Sequence, residues 1–166
     1  MDGPPLELLD DPGGEAKLVK EVVIHRNNVL RDMIEAFSDD KALTSPLELA
    51  FIDERGKFED GRRTGVAREA LSIFWKEFFS SLANGASEKV SAICHDFQKK
   101  EWKSVARILV TGFEKMGYFP TPLSRAFVAS GLYPEEMLPL PWLIESFHMY
   151  ISTEESESFK RALSDD

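Results

Sequence analysis

Gly65-Val66-Ala67-Arg68-Glu69-Ala70-Leu71-Ser72-Ile73-Phe74-Trp75-Lys76-Glu77-Phe78-Phe79-Ser80-Ser81-Leu82 is the stretch on which the fold turns. Ala67, Ala70, Leu71, Phe74, Phe78 and Leu82 recur at offsets of three and four, which sets them on one side of an α-helix. Val66, Ile73, Trp75 and Phe79 widen that surface beyond a single stripe, so the helix is expected at the centre of a core. Asn84-Gly85 is the expected stop.

Upstream, Leu47, Leu49 and Phe51 alternate with Glu48, Ala50 and Ile52, a period near two that predicts a strand with one strongly apolar face. The segment from Glu54 to Thr64 holds Gly56 and Gly61 among mixed charges and reads as a surface loop. Val22, Val23 and Ile24 are β-branched and suit a short strand. Asn27 or Asn28 then caps a helix whose buried face is Val29, Leu30, Met33, Ile34 and Phe37. Ser38-Asp39-Asp40 ends that helix, and Pro46 bars its continuation.

Downstream, a second long helix is expected from about Phe97 to Met116. Trp102, Val105, Ala106, Leu109, Phe113 and Met116 form its apolar side, and Gly117 its exit. Thr121-Pro122 reads as an N-cap and first helical position, with Leu123, Ala126 and Phe127 inward and Gly131 at the C-terminus. Pro134, Pro139 and Pro141 interrupt the chain before a helix from Trp142 to Ile151. Ser152 with Glu155 forms a capping box opening a last helix through Phe159 and Leu163. No internal repeat is present. The fold class is therefore α+β and mainly helical, with two or more short strands against a bundle of about six helices. Residues 1–17, with their acids, glycines and prolines, read as a flexible tail, and residues 18–166 as one domain.

Composition narrows the function. Twenty Lys plus Arg against 29 Asp plus Glu give a net charge of -9, a field that repels phosphate backbones and anionic lipid, so nucleic acid is not an expected partner. No apolar run approaches the ~20 residues that span a bilayer, so no membrane partner is expected either. A single cysteine, Cys94, excludes an internal disulfide or a multi-thiolate metal site, and Met1 to Gly14 lacks the regions of a signal peptide. An intracellular chain, cytoplasmic or nuclear, is the expectation.

Several constellations are set aside on geometry. Cys94-His95-Asp96 has the residue types of a thiol catalyst, yet helical neighbours point about 100° apart and do not align base with nucleophile. Asp53, Glu54, Glu59 and Asp60 surround Gly56, but Arg55 and Lys57 occupy places that a calcium loop needs for oxygen ligands. His25, His95 and His148 lack zinc-site spacing, and Gly61 with Gly65 lacks the Gly-Lys-Ser/Thr ending of a phosphate loop. No cofactor, metal or catalytic residue is assigned. Phe78, Phe79 and Trp102 read as core, whereas Trp142, Phe147 and Tyr150 read as a surface covered in a longer protein, or used in dimerisation.

Gly65, Arg68 and Glu69, together with the strand before them, resemble the signature of the amino-terminal lobe of HECT-type E3 ubiquitin ligases in a divergent form. The resemblance covers roughly residues 22 to 131. Val22-Val23-Ile24-His25-Arg26 with Val29-Leu30 and Asp32 is similar to the opening segment of that lobe. Leu49, Phe51, Glu54 and Gly56 resemble its strand and turn; Phe97, Val105-Ala106, Gly117, Pro122-Leu123 and Phe127 resemble its paired helices. Asp60-Gly61 is separated from Gly65 by Arg62-Arg63-Thr64, which looks like an insertion.

The resemblance implies a HECT amino-terminal-lobe-like bundle that scaffolds ubiquitin transfer through a catalytic cysteine outside this chain. It also implies as partners, through the parent protein, a ubiquitin-conjugating enzyme and the carboxy-terminal lobe, both engaged by segments beyond Asp166. This piece alone is expected to be inactive. Gly65 before the helix is expected to permit an unusual backbone angle or close approach, and Arg68 and Glu69 to hold fold geometry. The alternative is a non-catalytic protein-interaction module that kept the core and lost the transfer chemistry.

Overall fold

The structure, a computed structural model, describes residues 20–44, 47–59, 64–93 and 95–164. The expected tail at 1–17 and the apparent insertion at Arg62-Arg63 lie outside the described residues. Six α-helices and four short strands are present among them, in a mainly helical α+β arrangement.

Strands β1 (Lys20–His25) and β2 (Leu47–Ile52) pair in parallel, in register from Lys20 opposite Leu47 to His25 opposite Ile52. A parallel pair needs a crossover, and helix α1 (Val29–Ala36) with a short 3-10 turn (Asp40–Leu43) supplies it. Ala50 is buried along with Leu49 and Phe51, so β2 is covered on both faces and not on one. Asn28 stands at the N-cap of α1 but its side chain makes no capping hydrogen bond, and its Nδ2 donates to Asp32 Oδ1 at 2.7 Å. The N–H of Leu30 instead donates to Glu77 Oε2 of the next helix at 3.1 Å, a cap supplied across tertiary space.

Helix α2 (Thr64–Ser81) is the centre of the core. Ala67, Ala70, Leu71, Phe74, Trp75, Phe78, Phe79 and Leu82 are all buried, and Phe74 and Phe78 are fully enclosed. The rings interlock: Phe74 with Trp75 at 5.1 Å, Trp75 with Phe78 at 5.2 Å, and Phe78 edge-on to Trp102 at 6.2 Å. Edge-to-face pairs of this kind add about 0.5–1.5 kcal/mol each beyond area burial.

Helix α2 ends at Ser81, ahead of the expected Asn84-Gly85 stop, and Asn84 falls in a strand. The chain there forms an antiparallel hairpin of β3 (Ala83–Asn84) and β4 (Val90–Ser91). Helix α3 (Lys99–Met116) opens on a capping box of Gln98 and Glu101 and closes on Gly117 at φ +58°, whose N–H donates to Phe113 O at 3.0 Å.

The buried side of α3 matches the expected one in part: Val105 is buried and Trp102, Leu109 and Met116 pack against the core. Ser104, Val105, Ile108, Thr111 and Gly112 face the core, while Ala106 is exposed and Phe113 is 61% exposed. Close approach to α2 selects small residues there, since a Cβ at Gly112 would lie 3.3 Å from Leu71 Cδ1.

Helix α4 (Arg125–Leu132) starts later than Thr121-Pro122 implied. Pro122 is tied up as a carbonyl acceptor for Lys89 N–H at 2.6 Å, and Ser124 is the N-cap, its Oγ accepting from Phe127 N–H. Of the residues expected inward, Leu123 is buried, Ala126 half-buried and Phe127 exposed; Gly131 lies inside the helix, which ends at Leu132. Helices α5 (Leu140–Tyr150) and α6 (Thr153–Ser164) follow, with the expected capping box: Ser152 N–H donates to Glu155 Oε2 and Glu155 N–H to Ser152 Oγ. No helix of the described residues is long and apolar enough to cross a membrane.

Candidate functional site

The first turn of α2 is a junction. Arg68 donates from its guanidinium to the carbonyl of Met116, the last residue of α3, where cationic groups satisfy orphan acceptors and oppose the helix dipole. Glu69 Oε1 accepts from Arg26 Nη1 at 2.5 Å. Arg26 follows β1 and forks to both carboxylate oxygens of Glu59 at 2.6 Å, with its Cζ 4.2 Å above the Phe51 ring. Hydrogen bonds to Glu59 and then Glu69 raise the Arg26 guanidinium above its ordinary value, and the same bond to Arg26 lowers Glu59. Adjacent residues of one signature therefore tie α2 both to the sheet and to α3.

Gly65 departs from expectation. It lies within α2, has no left-handed backbone angle, and a Cβ placed on it would meet nothing within 4 Å. Neither a special angle nor a close contact requires glycine there. Replacing Arg68 with Ala should cost about 1 kcal/mol through loss of the α3 C-terminal bond, read as a lower urea midpoint, while Gly65→Ala should leave it unchanged or higher.

Cys94 lies outside the described residues. His95 is exposed, and its carbonyl accepts from Gln98 Nε2 at 2.9 Å. His25 Nδ1 lies 2.8 Å from Asp32 Oδ2, and His148 Nδ1 lies 2.9 Å from Ser156 Oγ. Around Gly56, Asp53 Oδ1 accepts N–H groups of Arg55 and Lys57, each at 2.8 Å, which makes it the organiser of a turn. Asp60 is outside the described residues. Of the aromatic trio near the end, Phe147 is exposed and packs edge-on to Phe159 at 5.6 Å, whereas Tyr150 and Trp142 are half-buried.

Two features escaped sequence reasoning. Arg107 of α3 donates to the carbonyls of Phe37 and Ser38, each at 3.0 Å, and pairs with Asp40, closing the end of α1. Glu88, in the hairpin turn, is buried; it accepts from Ser146 Oγ of α5 and from Arg125 Nε of α4 at 2.9 Å. Burial pushes its carboxyl up, but hydrogen bonds from Ser146, Arg125 and Ser124 outweigh that and leave it below the usual carboxylate range. Such long-range polar partners carry no periodic signal.

Between α2, α3, β4 and α4 lies an apolar cavity of about 410 Å³, lined by residues that include Trp75, Phe78, Ile93, Trp102, Ala106 and Phe127. Comparison with protein-family models, curated proteins and solved structures returns no match.

Proposed function

We propose that this chain is the scaffold portion of a HECT-type ubiquitin-protein ligase, an intracellular protein of the ubiquitin conjugation pathway. It holds the parts that pass ubiquitin from a conjugating enzyme to a cysteine outside residues 1–166. The observation that carries the reading is the nesting of three elements: β2 and α3 both pack on α2, through Phe51 and the Phe78–Trp102 contact in the core. The two-way tie of Arg68 and Glu69 at the start of α2 gives that nest a fixed geometry. A scaffold works by holding reacting parts in place, since positioning alone converts a bimolecular step into an effectively unimolecular one.

A second reading, a non-catalytic interaction module, is favoured by one observation: α3 turns Val110 and Phe113 outward. The scaffold reading is tested with a conjugating enzyme charged with ubiquitin. The purified chain should neither accelerate its discharge nor acquire a reductant-sensitive ubiquitin adduct. Either event would place the transfer chemistry inside these residues and overturn the proposal.

A further inference from the structure

We propose that the outward side of α3, with the apolar cavity beside it, binds an amphipathic peptide whose bulky apolar residues are flanked by Asp or Glu. Helix α3 buries Val105 and Ile108 beside Ser104, Thr111 and Gly112, and Thr111 Oγ1 has no partner among the described residues. Further large apolar residues of α3 lie at the edge of the core or outside it. Trp102, Ala106 and Leu109 line the cavity, Val110 is 42% exposed and Phe113 61%, and Ile93 stands fully exposed at the cavity wall. A cavity of about 410 Å³ is large enough to seat anchoring side chains, and an apolar helix face laid in a groove is a recurring mode of peptide recognition.

Charge selects the occupant. Lys99, Lys100, Lys103 and Arg107 gather along the neighbouring flank of α3, in a chain whose net charge is -9. Helix neighbours lie three and four positions apart, so Lys99 sits beside Trp102 and Lys103, and Lys103 beside Ala106. Asp39 and Asp40 share that flank; Asp40 pairs with Arg107, and Asp39 accepts from Lys41 N–H and keeps its charge, so three lysines face one carboxylate and the flank stays basic. The three lysines form no ion pair among the described residues. None of the residues lining the apolar cavity is acidic. A peptide with apolar anchors and acidic flanks meets apolar wall and lysine rim together. The inference stands independently of the ligase reading, since it concerns recognition and no transfer step.

The test is fluorescence anisotropy with a labelled helical peptide carrying Leu and Phe at i, i+3, i+4 and i+7 and Glu at its flanks. A matched peptide with Lys in place of Glu and a scrambled peptide serve as comparators. The acidic peptide should bind at least about ten-fold more tightly than either, and a Lys99→Glu/Lys103→Glu variant should lose about ten-fold at low salt with its thermal melt unchanged. Ala106→Arg, at an exposed position, should abolish binding without unfolding the chain. Absence of binding by the acidic peptide, equal binding of the Lys peptide, or full binding by Ala106→Arg would overturn the proposal. So would sedimentation showing a dimer that Ala106→Arg dissociates, which would assign the face to a second copy.

Discussion

Gly85→Ala should be the most damaging single methyl group in this chain. Gly85 follows β3 at φ +125°, a region L-residues rarely adopt, and a Cβ there would lie 2.2 Å from Glu88 O and 2.7 Å from Tyr150 Cδ2. The backbone cannot retreat, because Ala86 N–H donates to Tyr150 O at 2.8 Å and Ser87 and Glu88 N–H to Met149 O at 2.9 Å. Strain and overpacking together should cost roughly 3–5 kcal/mol, a large share of the ~5–15 kcal/mol that holds a domain together. The melting temperature should fall by about 10 °C or more. Gly117→Ala is the control: φ there is +58°, but a Cβ meets nothing within 4 Å, so only about 1 kcal/mol should be lost. Equal effects at the two positions would contradict the packing of the hairpin on α5.

Glu88→Ala should rank next. It removes the acceptor shared by Ser146 Oγ, Arg125 Nε and Arg125 N–H, in a site where Glu88 itself is 5% exposed. Leaving those donors without their partner should cost roughly 3 kcal/mol, seen as a lower denaturant midpoint and faster amide exchange in the hairpin, α4 and α5. The pH dependence has a definite sign. The Glu88 pKa is depressed in the folded state, so its contribution is fully present above the unfolded value of about 4.3 and is lost as pH falls through the folded value. Wild-type stability should therefore decline with acid below about pH 4.5, and Glu88→Gln should flatten that decline. An unaltered acid profile in Glu88→Gln would show that the buried carboxylate is not the group responsible.

Much of the architecture is legible in the chain because the strongest signals are local. The apolar residues of α2 recur at helical spacing, the Ser152–Glu155 box is contiguous, and Gly117 marks its own helix end. The face of α3 was legible only in part, since Val105, Trp102, Leu109 and Met116 meet the core but Ala106 and Phe113 do not. Hydrophobic periodicity points to Ala106 and Phe113, but contact with Leu71 of α2 demands the small side of the helix at Gly112, and size does not register as hydrophobicity. Caps delivered from afar were equally invisible: Glu77 for α1, Arg107 for the end of α1, and Arg68 for α3. At the candidate site, sequence marked Arg68 and Glu69 as a pair but could not show that they tie separate elements, and it gave Gly65 a backbone role that its open surroundings do not require. Glu88 carried no signal in the sequence because its donors lie far along the chain, Arg125 at 37 positions and Ser146 at 58.

The central claim is tested most directly by incubating the protein that the scaffold reading requires, this chain with whatever its gene encodes around it, with activating enzyme, conjugating enzyme and ubiquitin, then running the product with and without reductant. The scaffold reading predicts a reductant-sensitive ubiquitin adduct on a cysteine outside residues 1–166, retained when Cys94 is replaced by Ser. Absence of any such adduct across conjugating enzymes, or its loss on Cys94→Ser, would contradict it.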